Sequence, residues 1–148
     1  METTDFQITI DCHQPDGQAR FWATALHYEL EGPPPPHSTW REYWVSVGVP
    51  EDEVGDGYDS IIDPRGLRPR MWFQQVPENK SVKNRLHFDL LIGGGRKVPL
   101  ADRKASVNNE VARLEGLGAT IRHLMDNPEH DHFAVAMSDP EGNEFDVV

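Results

Sequence analysis

The chain ends in "SDPEGNEFDVV", where Glu144 and Asp146 alternate with Phe145 and Val147. On a strand, alternate side chains share a face, so two carboxylates point one way and two apolar groups the other. A second run, "RLHFDLLI", alternates in the same manner. Arg85, His87, Asp89 and Leu91 fall on one face, and Leu86, Phe88, Leu90 and Ile92 on the opposite one. Imidazole and carboxylate are side chains that hold divalent ions and move protons near neutral pH. Arg85 faces the same way as His87 and can hold an anionic substrate group; its competing role is to pair with an acidic residue of this acidic chain. "PEHDHF" spaces His130 and His132 like metal ligands but offers no nearby third ligand, and reads as a solvated loop.

These side chains need strands to aim them, and the sequence supplies the same elements twice. Asp63-Pro64-Arg65-Gly66 and Asp139-Pro140-Glu141-Gly142 are both turn signals, in which Pro presets φ, Asp bonds its own backbone and Gly accepts positive φ. Each follows an apolar run and precedes a strand-like one, "RMWFQQV" and "NEFDVV". The opening run "DFQITIDC" alternates Phe6, Ile8, Ile10 and Cys12 against Gln7, Thr9 and Asp11, as "RLHFDLLI" does later. Helical spacing follows each: Ala19, Trp22, Ala25 and Leu26 in the first half, Val107, Val111 and Leu114 in the second. Gly118 sits where a helix stops in the left-handed conformation, and His27 takes the matching place as a helix stop. Three further strands are expected in each half: "YELE", "YWVSVGV" and "MWFQQV", then "TIRHL", "FAVAMS" and "EFDVV". "EGPPPPHS" reads as a rigid surface spacer, "PEDEVGDGYDS" as an acidic loop and "GGGRKVPLADRK" as a flexible connection.

Composition narrows the function classes. The 148 residues suit one domain or two small similar halves. A net charge of −11 repels a phosphate backbone and argues against nucleic acid as a partner. No apolar run approaches the roughly 20 residues of a membrane span. "METTDFQITI" lacks the basic and apolar regions of a signal peptide, and the single Cys12 fits a reducing compartment, so a cytoplasmic location is expected. Loop-like Trp40, Trp44 and Val49, with the sheet edges such a fold exposes, lead us to expect a homodimer.

The duplicated β-α-β-β-β pattern is similar to that of the vicinal oxygen chelate superfamily, in its glyoxalase and bleomycin-resistance-like branch. The resemblance is carried by "FWATALHYEL", "VPENKSVKNRLHFDL", "EVARLEGLGAT" and "DPEGNEFDVV", in that order. It implies an α+β fold: one domain over residues 1–148 made of two tandem βαβββ modules, 1–79 and 80–148, whose eight strands form a mixed-sheet cup around a small-molecule ligand. In such folds the first and last strands of each module supply the metal-facing residues. Carried across, these are Gln7 and His87 on the first strands, Asp146 on the last strand of the second module, and Gln74 on that of the first. The four extra residues "LRPR" after the first turn blur the last assignment, and a slip of two residues would substitute Trp72.

The resemblance further implies a divalent ion (Ni, Zn, Mn or Fe) that polarises a substrate oxygen in a lyase, isomerase or dioxygenase reaction. His87 and Asp146 are the catalytic candidates, and Arg85, Trp72 and Gln74 the substrate-binding ones. Two other readings stay open. His87 and Asp146 can move a proton without metal, or the cup can belong to a metal-free protein that sequesters a ligand. Trp40, Trp44, Trp72 and Phe73 are read as core and rim packing, with one or two of them suited to line the cup for an apolar or aromatic ligand.

Overall fold

A computed structural model of the chain describes residues 3–148 and divides it into two compact units, the first ending at Glu78 and the second spanning Asn79–Val148. The first unit contains β1 (Ile8–Cys12), α1 (Pro15–Leu26), β2 (Glu29–Leu30), α2 (Trp40–Ser46), β3 (Ser60–Ile62) and β4 (Met71–Gln75). The second contains β5 (Phe88–Leu90), α3 (Leu100–Gly116), β6 (Thr120–Asn127), β7 (His132–Ser138) and β8 (Glu144–Val147), with a 3-10 turn at Pro128–His130. Each unit is a four-stranded mixed sheet. The strand orders, β1-β4-β3-β2 and β5-β8-β7-β6, are the same path drawn twice. In both, the first strand lies parallel to the last and the other pairings are antiparallel.

Helix α1 begins at Pro15, whose missing N–H costs nothing in the first turn, and carries Asp16 where the helix dipole favours an acid. It stops at His27, which adopts φ 57°. Ala19, Phe21, Trp22 and Ala25 are buried, and α1 packs against β2, β3 and β4 to cover Ile61, Met71 and Phe73. In the second unit, Val107, Val111 and Leu114 on α3 are buried together with Phe133, Val135, Met137, Phe145 and Val147, and α3 packs against β6, β7 and β8. The two Asp-Pro-x-Gly turns form as expected. Asp63 Oδ1 accepts the backbone N–H of Arg65 at 3.0 Å, and Asp139 Oδ1 accepts those of Glu141 and Asn143, both at 2.9 Å. Gly66 and Gly142 take the positive φ the turns require.

Three expectations are corrected. "YWVSVGV" does not form a strand: α2 covers its first half. Aromatic and β-branched residues favour strands in general, but here a capping box decides. Thr39 Oγ1 accepts the N–H of Glu42 at 3.1 Å, and the Glu42 carboxylate accepts those of Thr39 and Ser38 at 3.3 and 2.8 Å. The third strand of the unit is instead β3, three residues immediately before the Asp63 turn. Second, β5 is shorter than the alternation in "RLHFDLLI". The chain turns at Leu91, where the N–H groups of Ile92 and Gly93 both reach Val148 O, and Leu86 and Leu91 stand 90% and 80% exposed. Third, "LADRK" belongs to α3 and not to a flexible connection. Arg103 is buried on it and donates to Val98 O at 2.9 Å and to Asp131 O at 3.1 Å.

Candidate functional site

The site in the second unit follows from the parallel pairing of β5 with β8. Phe88 lies opposite Phe145 and Leu90 opposite Val147, so Asp89 lies opposite Asp146 on the other face. His87, two residues before Asp89, points the same way. Its Nε2 stands 3.4 Å from Asp89 Oδ1 and 3.7 Å from Asp146 Oδ2. One ligand atom from each of the three residues can be chosen so that all lie within 4.8 Å of one another. Two carboxylates paired directly across a ladder repel. A protonated imidazole or a cation between them removes that repulsion, and an imidazole with two carboxylates is a donor set that suits Mn, Fe, Ni or Zn.

The next residue along the same face of β8 is Glu144, whose side chain is only 9% exposed. Lys83 Nζ donates to it at 2.9 Å, Lys80 Nζ lies at 3.5 Å and Arg122 Nη2 at 3.6 Å. The Lys83 hydrogen bond, helped by the charges of Lys80 and Arg122 and opposed by desolvation, holds the Glu144 carboxyl below the usual range. Three cations thus surround the one Glu144 carboxylate, next to the Asp89 and Asp146 pair. Arg122 is delivered by a bulge: the β6–β7 register shifts between Ile121 and His123, and Arg122 Nη1 reaches Ser138 Oγ at 3.2 Å. The register also sets His123 opposite Ala136, which pairs with Asp146.

The first unit has the same layout with different chemistry. Ile61 and Met137 each lie two residues before the turn aspartate, and they pair with Met71 and Phe145, which pair in turn with Ile8 and Phe88. Gln7 therefore occupies the place of His87, and Trp72 the place of Asp146. Gln74 lies two residues further on, opposite Asp11, and is exposed. Gln7 Oε1 accepts from Arg70 Nη1 at 3.0 Å, and Trp72 Nε1 donates to Asp59 Oδ2 at 3.1 Å. Arg85 is exposed on the bend before β5, and His130 and His132 lie in and just after the 3-10 turn. Of the residues singled out from sequence, His87 and Asp146 thus converge within one unit. Asp89, Lys80, Lys83, Arg122 and His123 are the additions. The face alternation of "RLHFDLLI" already put Asp89 beside His87; the other four depend on β6 and on the approach to β5.

The sequence profile of the glyoxalase-like domain matches residues 7–148. The chain belongs to this family. Solved structures agree on the fold. FosX, a genomically encoded fosfomycin resistance protein from Listeria monocytogenes, superposes with a TM-score of 0.61 at 10% identity, covering 99% of this chain and 93% of its own. A glyoxalase/bleomycin resistance/dioxygenase family enzyme from Burkholderia phytofirmans PsJN gives 0.54 at 13% identity over 95% and 94% of the two chains. The hypothetical protein SA1046 from S. aureus gives 0.59 at 9% identity over 99% and 94%. No curated protein matches. The glyoxalase-like chain is thereby placed in the vicinal oxygen chelate superfamily, with its two βαβββ units. No helix among its described residues is long and apolar enough to cross a membrane.

Proposed function

We propose that the protein is a glyoxalase-like enzyme that acts on a small, oxygen-rich anion with a divalent ion held by His87, Asp89 and Asp146. The observation that carries this reading is the approach of His87 Nε2 to both Asp89 Oδ1 and Asp146 Oδ2 on one sheet face. An ion bound there supplies Lewis acidity toward a substrate oxygen. The chain's own residues do the rest. Asp89 and Asp146 provide the negative charge that retains the ion. Lys83, Lys80 and Arg122 offer more positive charge than Glu144 neutralises, which favours an anionic group on the substrate. A FosX variant from Listeria monocytogenes, 9% identical over 99% of this chain with a TM-score of 0.58, is solved with Mn(II) and 1S,2S-dihydroxypropylphosphonic acid, a pairing of the same chemical kind.

The distances from His87 to its two carboxylates also suit a protonated imidazole without metal, which supports a second reading as a metal-free ligand-binding protein. One experiment separates the two. Protein purified without chelator is assayed for bound metal and then titrated with Mn(II), alongside His87→Ala and Asp146→Ala. The enzyme reading expects close to one divalent ion per chain, bound at least about tenfold more weakly by either variant. Wild-type protein that takes up no ion at millimolar Mn(II), or variants that bind as tightly as wild type, would overturn it.

A further inference from the structure

A cavity of about 460 Å³ opens in the first unit, lined by Trp40 and Trp44 of α2, Trp72 of β4, and Glu53, Val54 and Asp59 of the connecting segment. Trp40 and Trp44 stack at 5.9 Å with 22° between their planes, one helical turn apart. The polar edges of two of these indoles are already engaged. Trp40 Nε1 donates to Glu31 O at 2.7 Å, and Trp72 Nε1 to Asp59 Oδ2 at 3.1 Å. What these two rings leave for a ligand is carbon surface and π electrons.

The charge around the rings is negative. The hydrogen bonds to the Asp59 carboxylate come from Trp72 and from Ser60 Oγ at 3.2 Å, both neutral donors, and no cation pairs with it among the described residues. Glu53 has no ion-pair partner among the described residues either. Arg70 also lines the cavity, but it lies 2.5 Å from Glu31 and donates to Gln7. An adjoining cavity of about 570 Å³ shares the three tryptophans and Asp59. Its other acids, Asp16 and Asp56, are neutralised by Arg20 at 2.8 Å and Arg41 at 2.7 Å.

From these observations we infer that the first unit binds an organic cation, an ammonium whose charge is clothed in methyl or aromatic groups. Three indoles suit the alkyl groups and attract the positive charge through their ring quadrupoles, for which tryptophan is the best aromatic residue. Asp59 and Glu53 supply the counter-charge at longer range. A bare metal ion has no use for carbon walls. An anion meets two uncompensated carboxylates. A neutral hydrocarbon leaves those carboxylates with nothing to balance them. The volume lies within the range of small-ligand sites. This inference uses residues of the first unit alone and does not depend on the metal reading.

The test is quenching of tryptophan fluorescence by benzyltrimethylammonium, compared with its neutral isostere neopentylbenzene and with benzenesulfonate. The ammonium should bind saturably, about tenfold more tightly than the neutral compound, and the sulfonate should not bind. Asp59→Asn keeps an acceptor for Trp72 Nε1 while removing the charge, and Glu53→Gln changes an exposed loop. Each should weaken the ammonium severalfold, and the wild-type affinity should fall with added salt. Trp44→Ala should abolish the preference, with circular dichroism confirming that the variant is folded. Equal affinity for the ammonium and its neutral isostere would overturn the inference, as would no saturable quenching at millimolar ammonium or indifference of both charge variants.

Discussion

Glu144 sits among Lys80, Lys83 and Arg122, and its carboxyl is held below the ordinary range chiefly by the Lys83 hydrogen bond. A carboxyl depressed in the folded state contributes stability above its unfolded pKa and loses it as pH falls through the folded one. Lys83 and Arg122 are 72% and 50% exposed, so solvent screens part of the interaction. Glu144→Gln should therefore lower stability by about 1–2 kcal/mol at neutral pH. Urea unfolding should show the gap between variant and wild type closing as pH falls below the ordinary carboxylate range; a gap that is constant or widens there would contradict the assignment. Legibility at this scale was partial. His87 and Asp146 could be read because alternation fixes a strand's face. The choice between Gln74 and Trp72 is not legible, because the four residues "LRPR" between turn and strand carry no register information; the ladder from Ile61 through Met71 to Ile8 supplies it. Arg122 could not be read as a partner of Glu144, because its reach depends on a bulge in β6.

Elements were legible wherever a single local signal dominated. Both Asp-Pro-x-Gly turns, the two long helices and the left-handed stop at His27 follow from side chains that act on their own backbone. Helix α2 shows the opposite case. Two signals compete over residues 38–49: aromatic and β-branched strand formers against a Thr39-x-x-Glu42 box. The box won because it satisfies N–H groups that a new helix would otherwise leave open. Thr39→Ala should cost about 1 kcal/mol of α2 stability. Since Trp40 and Trp44 ride on that helix, ammonium-dependent quenching should weaken in the same variant. Far-UV circular dichroism with a thermal melt checks the first effect, and unchanged helicity together with an unchanged melt would show that the box is dispensable.

At the scale of the molecule, the repeat was the most legible feature, because two runs of the same turn and strand pattern can be compared without knowing either structure. Each unit closes its apolar face with its own helix, as α1 on Ile61, Met71 and Phe73 and α3 on Val135, Met137 and Phe145 show. Self-association was expected from Trp40, Trp44 and Val49. These residues instead gather within the first unit, where all three line its cavity. We still propose a homodimer, now on β6, an edge strand of its sheet that leaves Ile121 and Leu124 50% and 53% exposed. Light scattering should give twice 16.8 kDa and Leu124→Lys should halve it, whereas a wild-type mass of 16.8 kDa at every concentration would refute it. Ion binding by His87, Asp89 and Asp146 is visible in an anomalous difference map from crystals grown with Mn(II). One strong peak bonded to all three side chains is expected; a map with no peak there, or with a peak that leaves His87 or Asp146 unbonded, would overturn the metal site.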